Sequence, residues 1–258
     1  MVSTALLLSG CASFSPDGGM GMVTATVSQD LGKEASAQRT PDDAAAARST
    51  VTRLLARPLS AEATVQVALL NNRGLQAAYN ELAIAEARAV EGSLPPNPAI
   101  SLSRIAGSVE VEVERKIVAN VLALATLPMR SQIAADRFRQ AQIIALSETL
   151  RIAAEARRAY YRAVAAREFA GFLAQAQSGA ETAAKFAARL GETGGMNKLD
   201  QAREQVFYAE TTADLASTRQ EATSSREQLA RLMGLWGSDL GFRLPDTLPT
   251  LPRRPSAL

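Results

Sequence analysis

The chain has 258 residues, 47% hydrophobic but only 5% aromatic, and its 28 basic and 26 acidic side chains leave a net charge of +2. With no histidine and a single cysteine, it can hold no histidine-based zinc site, no Ser-His-Asp or Cys-His catalytic unit and no internal disulfide. The charge is balanced and carries no block of one sign, which argues against nucleic acid as a partner. Abundant Ala, Leu, Arg and Glu with few aromatics suit long helices packed closely together. No run of about 20 apolar residues is present, so no helix is expected to span a bilayer. An enzyme is not expected, and neither is a cofactor.

The first eleven residues end in Leu8-Ser9-Gly10-Cys11 after a short apolar run. This resembles the lipobox of bacterial lipoproteins, in which the peptide is cut before the cysteine and the thiol and new amine are acylated. The pattern departs from that family upstream, where the apolar stretch is short and no Lys or Arg precedes it. A start codon placed too late would produce this. The alternative is an unmodified cysteine in a disordered terminus. Residues 12–41, rich in Gly, Ser, Thr, Asp and Pro, read as a flexible tether.

A first helix is expected over 42–56, opened by Pro41-Asp42-Asp43 and closed before Pro58. A second, capped by Ser60, should run over 60–91 and end at Gly92-Ser93-Leu94-Pro95-Pro96-Asn97-Pro98. Ile100 and Leu102 then alternate with serines, Gly107-Ser108 offers a turn, and Val109, Val111 and Val113 alternate with Glu110, Glu112 and Glu114. Period two places the valines on one face and the glutamates on the other, so 99–117 reads as a two-stranded hairpin.

From 131 to 190 there is no proline, and a helix of this length would extend roughly 90 Å. Gly191 to Gly195 breaks it. Asn197, with Asp200 three residues on, caps a further helix over 197–233, and the tail 244–258 is extended and proline-rich. Ile152, Ala156, Ala159, Ala163, Ala166, Ala170, Leu173, Gln177, Ala180, Ala184, Ala187 and Gly191 follow an unbroken 4,3 spacing, a heptad seam made mostly of alanine. Such a seam permits axes at the short end of the usual 8–10 Å. Tyr161, Ala165, Phe172, Ala176, Ala183, Phe186 and Leu190 form a second stripe, and the next helix carries Leu199, Ala202, Val206, Ala209, Ala213 and Ala216. The two alanine seams are expected to face each other in an antiparallel pair. Two stripes on one helix imply neighbours on both sides, hence a wall or barrel of helices; the alternative is an ordinary bundle with one broad apolar face.

In this order the parts resemble the TolC-type outer-membrane efflux factors, N-terminal repeat only. Ala68-Leu-Leu-Asn-Asn-Arg-Gly-Leu-Gln-Ala-Ala-Tyr79 is similar to that family's second helix, and Leu94-Pro-Pro-Asn-Pro98 to the approach to its first membrane strand. Leu127-Pro-Met-Arg130 through Ala159-Tyr-Tyr-Arg-Ala163 resembles the start of its long third helix. Arg189-Leu190-Gly191 with Asn197-Lys-Leu-Asp200 resembles the turn at its periplasmic tip, and Leu229-Ala-Arg-Leu-Met-Gly-Leu235 the end of its fourth helix. The resemblance covers about 42–252 and rests on the order of individually weak motifs.

What the resemblance implies is a mainly α fold, half of a TolC-like protomer: a long antiparallel helical hairpin, shorter helices and one β-hairpin, with 42–258 as a single repeat. Family chains carry two repeats, and three chains close a barrel. One repeat is present here, so either six copies would assemble or the chain is a truncated gene product, the second being expected. By resemblance the protein would be a passive exit duct in a Gram-negative outer membrane, its helices in the periplasm, serving an inner-membrane transporter. Val109, Val111 and Val113 would face lipid, and Glu110, Glu112 and Glu114 a wet lumen; a soluble edge hairpin with one wet face is the other reading. Arg189, Leu190, Gly191, Gly194, Gly195 and Asp200 would meet a periplasmic adaptor protein. For Asn197 and Asp200, helix capping stands beside a gating role. A second function class is a lipid-anchored periplasmic adaptor or scaffold without a pore, although the further strands an adaptor would carry are missing from the pattern.

Overall fold

The structure, a computed structural model, describes residues 14–106 and 111–250. It divides into two units, one of Met1–Gly32 with Ala77–Glu148 and one of Lys33–Gln76 with Thr149–Leu258. Cys11, Val109, Glu110 and the Gly107-Ser108 turn lie outside the described residues.

In the first unit, α1 (Gly21–Thr26) runs into a π-turn at Val27–Leu31, which ends at Gly32 with φ +59°. This corrects the expectation of a flexible tether. Met20, Val23 and Val27 recur at a 3,4 spacing and are all but fully buried, enough apolar surface to fold a segment whose composition otherwise suits a linker. The backbone amide and hydroxyl of Ser15 both donate to the buried Glu86 carboxylate. Gln142 donates to the Gly19 carbonyl at 3.2 Å. Gly19 itself, at φ +81°, sits where a Cβ would come within 2.7 Å of the Phe138 ring.

The second unit continues the same ordering. Gln66 accepts from the Glu34 amide and donates to the Glu34 carbonyl, at 3.0 and 2.9 Å. Gln76 does the same ten residues on, between the Gln38 amide and the Ser36 carbonyl. The extended stretch 33–40 is therefore strapped down by side-chain amides, which read only its backbone. Helix α2 (Pro41–Leu55) starts from a reciprocal capping box between Thr40 and Asp43 with Pro41 at the first helical position, and it packs on α3 (Ala61–Asn71). The hydrogen bonds from the Thr40 amide and hydroxyl hold the Asp43 carboxyl below its ordinary pKa.

The expected continuous helix over 60–91 is two helices, α3 and α4 (Arg73–Ser93). The break is at Asn72, whose backbone is extended at φ −67° and ψ 118°. Its side-chain oxygen accepts from the Leu75 amide at 2.9 Å, an N-cap that competes with helix continuation. The reason for the break is tertiary. Asn71 donates to the carbonyls of Met233 and Gly234, and Asn72 to that of Leu232, so the two side chains satisfy carbonyls at a helix end that would otherwise be orphaned.

Strands β1 (Ala99–Ala106) and β2 (Val111–Val118) form an antiparallel two-stranded sheet. A short helix not foreseen from the sequence, α5 (Val121–Ala125), follows; Asn120 caps it by accepting from the Ala123 amide. Helix α6 then runs unbroken for 66 residues, Leu127–Glu192, starting four residues earlier than expected because Pro128 is tolerated in a first turn. Helix α7 spans Lys198–Leu232.

Within the second unit α6 and α7 form an antiparallel hairpin. Ala163 and Arg167 border the same small cavity as Ala222, Thr223 and Arg226, while Gly191 lies against Gln201 at the other end. Every member of the alanine seam on α6 from Ile152 to Gly191 is buried or half-buried. The expected partner seam is corrected. Leu199, Ala202, Val206, Ala209, Ala213 and Ala216 are all exposed, and α7 instead turns Gln201, Glu204, Tyr208, Thr211, Leu215, Thr218, Ala222, Ser225 and Leu229 inward at a strict 3,4 spacing. Small hydroxyl side chains fit this seam because Thr211 bonds back to the Phe207 carbonyl and so brings no unpaired donor into it.

The α7 C-terminus is a Schellman motif: Gly234 takes φ +66° while Leu235 and Gly234 donate back to Ala230 and Arg231. Beyond a 3-10 turn at Gly237–Gly241 the tail returns along α6. Leu59 donates to the Arg243 carbonyl, Arg167 pairs with Asp246, and Leu248 donates to Glu168. Arg226 donates to the carbonyls of Leu240 and Phe242 and stacks 3.9 Å above the Phe242 ring. Burial there, with Arg167 nearby, lowers its pKa from the ordinary arginine value.

Candidate functional site

Two separate places carry the residues singled out by the sequence. The first is the β-hairpin, whose register pairs Ala99 with Val118, Ile100 with Ile117, Leu102 with Arg115, Ser103 with Glu114 and Arg104 with Val113. Directly opposed residues share a face. Ile100, Leu102, Val113 and Ile117 therefore stand together, interrupted by the Arg104 and Arg115 positions, and Ser101, Ser103, Glu114 and Lys116 stand on the other face with Ala99 and Val118 at its end. Ile100, Leu102 and Ile117 are each more than 70% exposed, and Val113 half so. Ser103 donates to Glu114 across the strands at 3.4 Å. Val111 and Glu112 occupy the register positions opposite Ala106 and Ile105.

Sequence reasoning found the alternation of Ile100 and Leu102 with serines and of the valines with glutamates, but named no face residue beyond Glu114. Ile117 was legible as a continuation of period two, and only the register shows that it stands opposite Ile100, with Arg104 and Arg115 on that same face. After β2, Val121, Leu122 and Met129 are also strongly exposed. Among the described residues the first unit thus displays a run of exposed apolar side chains.

The second place is the tip of the helical hairpin. Gly194 at φ +75° and Gly195 close α6 with another Schellman motif, Gly195 donating to Leu190 at 2.8 Å and Gly194 to Gly191 at 3.2 Å. Arg189 is exposed, and Leu190 and Gly191 are half-buried. A Cβ at Gly191 would fall 2.1 Å from the Gln201 side chain, and Gln201 in turn donates to the Met196 and Asn197 carbonyls. Asn197 is the N-cap of α7, accepting from the Asp200 amide at 2.9 Å. The return arm differs from a standard capping box: the Asp200 carboxylate accepts from the Asn197 side-chain amide rather than from its backbone, and it also pairs with Arg203. Asn197 and Asp200 together thus cap α7.

The second unit also carries exposed stripes: Phe172 and Phe186 on α6 and Leu199 and Val206 on α7 are each more than half exposed, and Phe169 stacks on Phe172 at 6.3 Å. Among the described residues no helix is long and apolar enough to cross a membrane, and no group of three acidic, histidine or cysteine side chains could hold a metal ion.

No protein-family model matches the chain, and no curated protein matches it in sequence. Two solved structures match it in fold. One is of CusC, from work on the conformational changes that accompany folding and transmembrane channel formation: TM-score 0.60, 17% identity, 74% of this chain and 46% of that one. The other is a membrane protein from Pseudomonas aeruginosa: TM-score 0.57, 16% identity, 81% of this chain and 49% of that one. The chain therefore spans about half the length of either. At these identities the likeness is one of architecture: a mainly α fold with a long helical hairpin and a small β-hairpin, distantly resembling half of a TolC-type outer-membrane channel protomer.

Proposed function

We propose that this chain is a component of an outer-membrane channel, a passive exit duct for substrates delivered by an inner-membrane pump. The observation that carries this reading is the double use of each long helix. Helix α6 spends one alanine seam on its own hairpin partner and leaves a second stripe, with Phe172 and Phe186, exposed; α7 likewise leaves Leu199 and Val206 outward. A free-standing hairpin needs one seam per helix. A closed wall needs two, and contiguous exposed apolar stripes mark surfaces that bind something.

The β-hairpin supports the same reading. Val109, Val111 and Val113, extended by Ile100, Leu102 and Ile117, would face lipid, and Glu110, Glu112 and Glu114 would face the water-filled lumen, where charge stays solvated. Two strands leave open edges that cannot persist in lipid, so strands from other repeats or copies must complete the barrel, as a trimer where each chain carries two repeats. Cys11 would carry a lipid anchor. Arg189, Leu190, Gly191, Gly194 and Gly195 would meet a periplasmic adaptor protein, with Asp200 acting through the α7 cap.

Efflux by a Gram-negative host lacking its own outer-membrane channel tests the reading, with the chain supplied alone and fused to a second repeat. Restored resistance with either form, lost on Val113→Asp, is expected; the chain remaining in the soluble periplasmic fraction in both forms would refute it. Labelled palmitate should enter at Cys11 and not in Cys11→Ser.

A further inference from the structure

A cleft of about 550 Å³ lies in the first unit, between α4 and the first turns of α6. Three arginines line it, Arg88 from α4 and Arg130 and Arg137 from α6, around the small or apolar Ala89, Gly92 and Ile133. Their convergence follows from helix geometry and one glycine. Arg130 and Arg137 are seven residues apart, two turns along one face of α6. Arg88 comes one turn before Gly92, where a Cβ would lie 2.9 Å from the Ala134 Cβ, so the helices approach closely enough to aim all three at one opening.

Among the described residues no ion pair uses these charges. Arg151, Arg157, Arg167, Arg203 and Arg231 each pair with a carboxylate, whereas among the described residues Arg88, Arg130 and Arg137 have no salt bridge and no carboxylate lines the cleft. All three are exposed. Like charges brought together without an acid repel one another, and a bound anion removes that repulsion. Guanidinium is the side chain suited to phosphate, which it binds through two parallel N–H donors.

The cleft is much larger than an inorganic anion needs and falls in the range of sites for whole organic ligands. Its lining is apolar apart from the arginines. In the chain it lies directly against the exposed apolar run: Gly92 precedes β1, and Arg130 follows the exposed Met129, Leu122 and Val121. A cationic opening beside exposed apolar side chains matches a molecule with an anionic head and a hydrocarbon body. We propose that Arg88, Arg130 and Arg137 form a headgroup site for an anionic phospholipid, with the acyl chains passing toward Ile133 and the apolar residues that flank the β-hairpin. The site rests on the membrane placement of the hairpin proposed above, because that placement brings lipid within reach of the cleft.

The test is flotation of the purified full chain with vesicles of phosphatidylcholine, alone or with about one-third phosphatidylglycerol. Each basic residue at an anionic surface contributes about a factor of five, so the Arg88→Ala, Arg130→Ala, Arg137→Ala triple variant should lose roughly 100-fold in apparent affinity for the anionic vesicles. It should bind the neutral vesicles as wild type does. The matching Arg→Lys triple should keep most of the preference, and an Arg158→Ala, Arg162→Ala, Arg219→Ala triple, with equal charge loss elsewhere, should keep all of it. Circular dichroism of each variant establishes that the helices are intact. Equal binding of wild type to both vesicles, or an undiminished preference in the Arg88 triple, overturns the site. So does displacement by inorganic phosphate at millimolar concentration, which would mark a free-anion site. Failure of the hairpin reading gives a different pattern: Ile100→Asp with Ile117→Asp would then leave binding to neutral vesicles unchanged.

Discussion

Asn72 donates from its side-chain amide to the backbone carbonyl of Leu232 at 2.8 Å, across 160 residues of chain. The same side chain accepts from the Leu75 amide, so one buried residue stops α3, starts α4 and finishes α7. Asn72→Ala should destabilise the chain by about 1–3 kcal/mol, the cost of leaving a buried carbonyl and a helix N-terminus without partners. Asn72→Asp keeps the acceptor and loses the donor, so it should recover part of that loss. Urea unfolding followed by circular dichroism measures both, and a neutral Asn72→Ala would mean that water replaces the side chain at the α7 terminus.

Gly234 meets the neighbouring residue of the same pair. It sits at φ +66°, and a Cβ there would fall 2.3 Å from the Asn71 backbone oxygen. Gly234→Ala combines left-handed strain with a backbone clash and should cost at least about 2 kcal/mol. Gly237→Ala, also left-handed at φ +59° but in open space, should cost about 1 kcal/mol. The difference in urea midpoint between the two variants isolates the clash.

The two stripes of α6 predict different results at adjacent positions. Ala163 is 1% exposed, in the seam against α7, and Ala165 is half-buried on the second stripe. Ala163→Leu should overpack the hairpin and cost about 1–3 kcal/mol in the isolated chain, whereas Ala165→Leu should change it little, since the two residues differ slightly in helix propensity. In a full-length channel context both should block assembly, measured by crosslinking and efflux. A silent Ala165→Leu in that context would leave α6 with one neighbour and remove the helical wall.

A pH dependence follows from Glu62, which bridges Lys33 at 2.8 Å and Arg157 at 2.8 Å. The hydrogen bond from Lys33, with Arg157 beside it, holds the carboxyl below its ordinary value of 4.5 against the opposing effect of burial. A carboxyl depressed in the folded state stabilises the fold above its unfolded pKa, and that contribution is lost as pH falls through the folded pKa. Wild type should therefore exceed Glu62→Gln in stability near neutral pH, with the difference closing below about pH 4. The group is largely solvated, so the effect should be small and shrink further in high salt. Thermal unfolding of both forms across acid pH is the measurement, and a difference that persists at the lowest pH would assign the effect to packing.

Much of this molecule was legible without coordinates because its elements are marked by strong local signals. Three prolines end α4, a run without proline extends α6, Gly191 to Gly195 turns the chain, and alternation from Val109 to Glu114 announces the hairpin. Each acts through backbone geometry within a few residues, which is why chain order suffices to read it. Two kinds of feature were decided only in three dimensions. The 14–40 segment is polar in composition, yet Met20, Val23 and Val27 fold it and Gln66 and Gln76 hold its backbone, through partners that sequence spacing does not reveal. On α7 the more apolar stripe, Leu199 to Ala216, faces outward and the Thr211, Leu215, Ser225 seam faces α6. Hydrophobicity identifies the residues that will be buried somewhere, whereas the fit between facing surfaces decides which are buried first. A helix with two usable stripes does not state in its sequence which one its own chain covers and which it leaves for another.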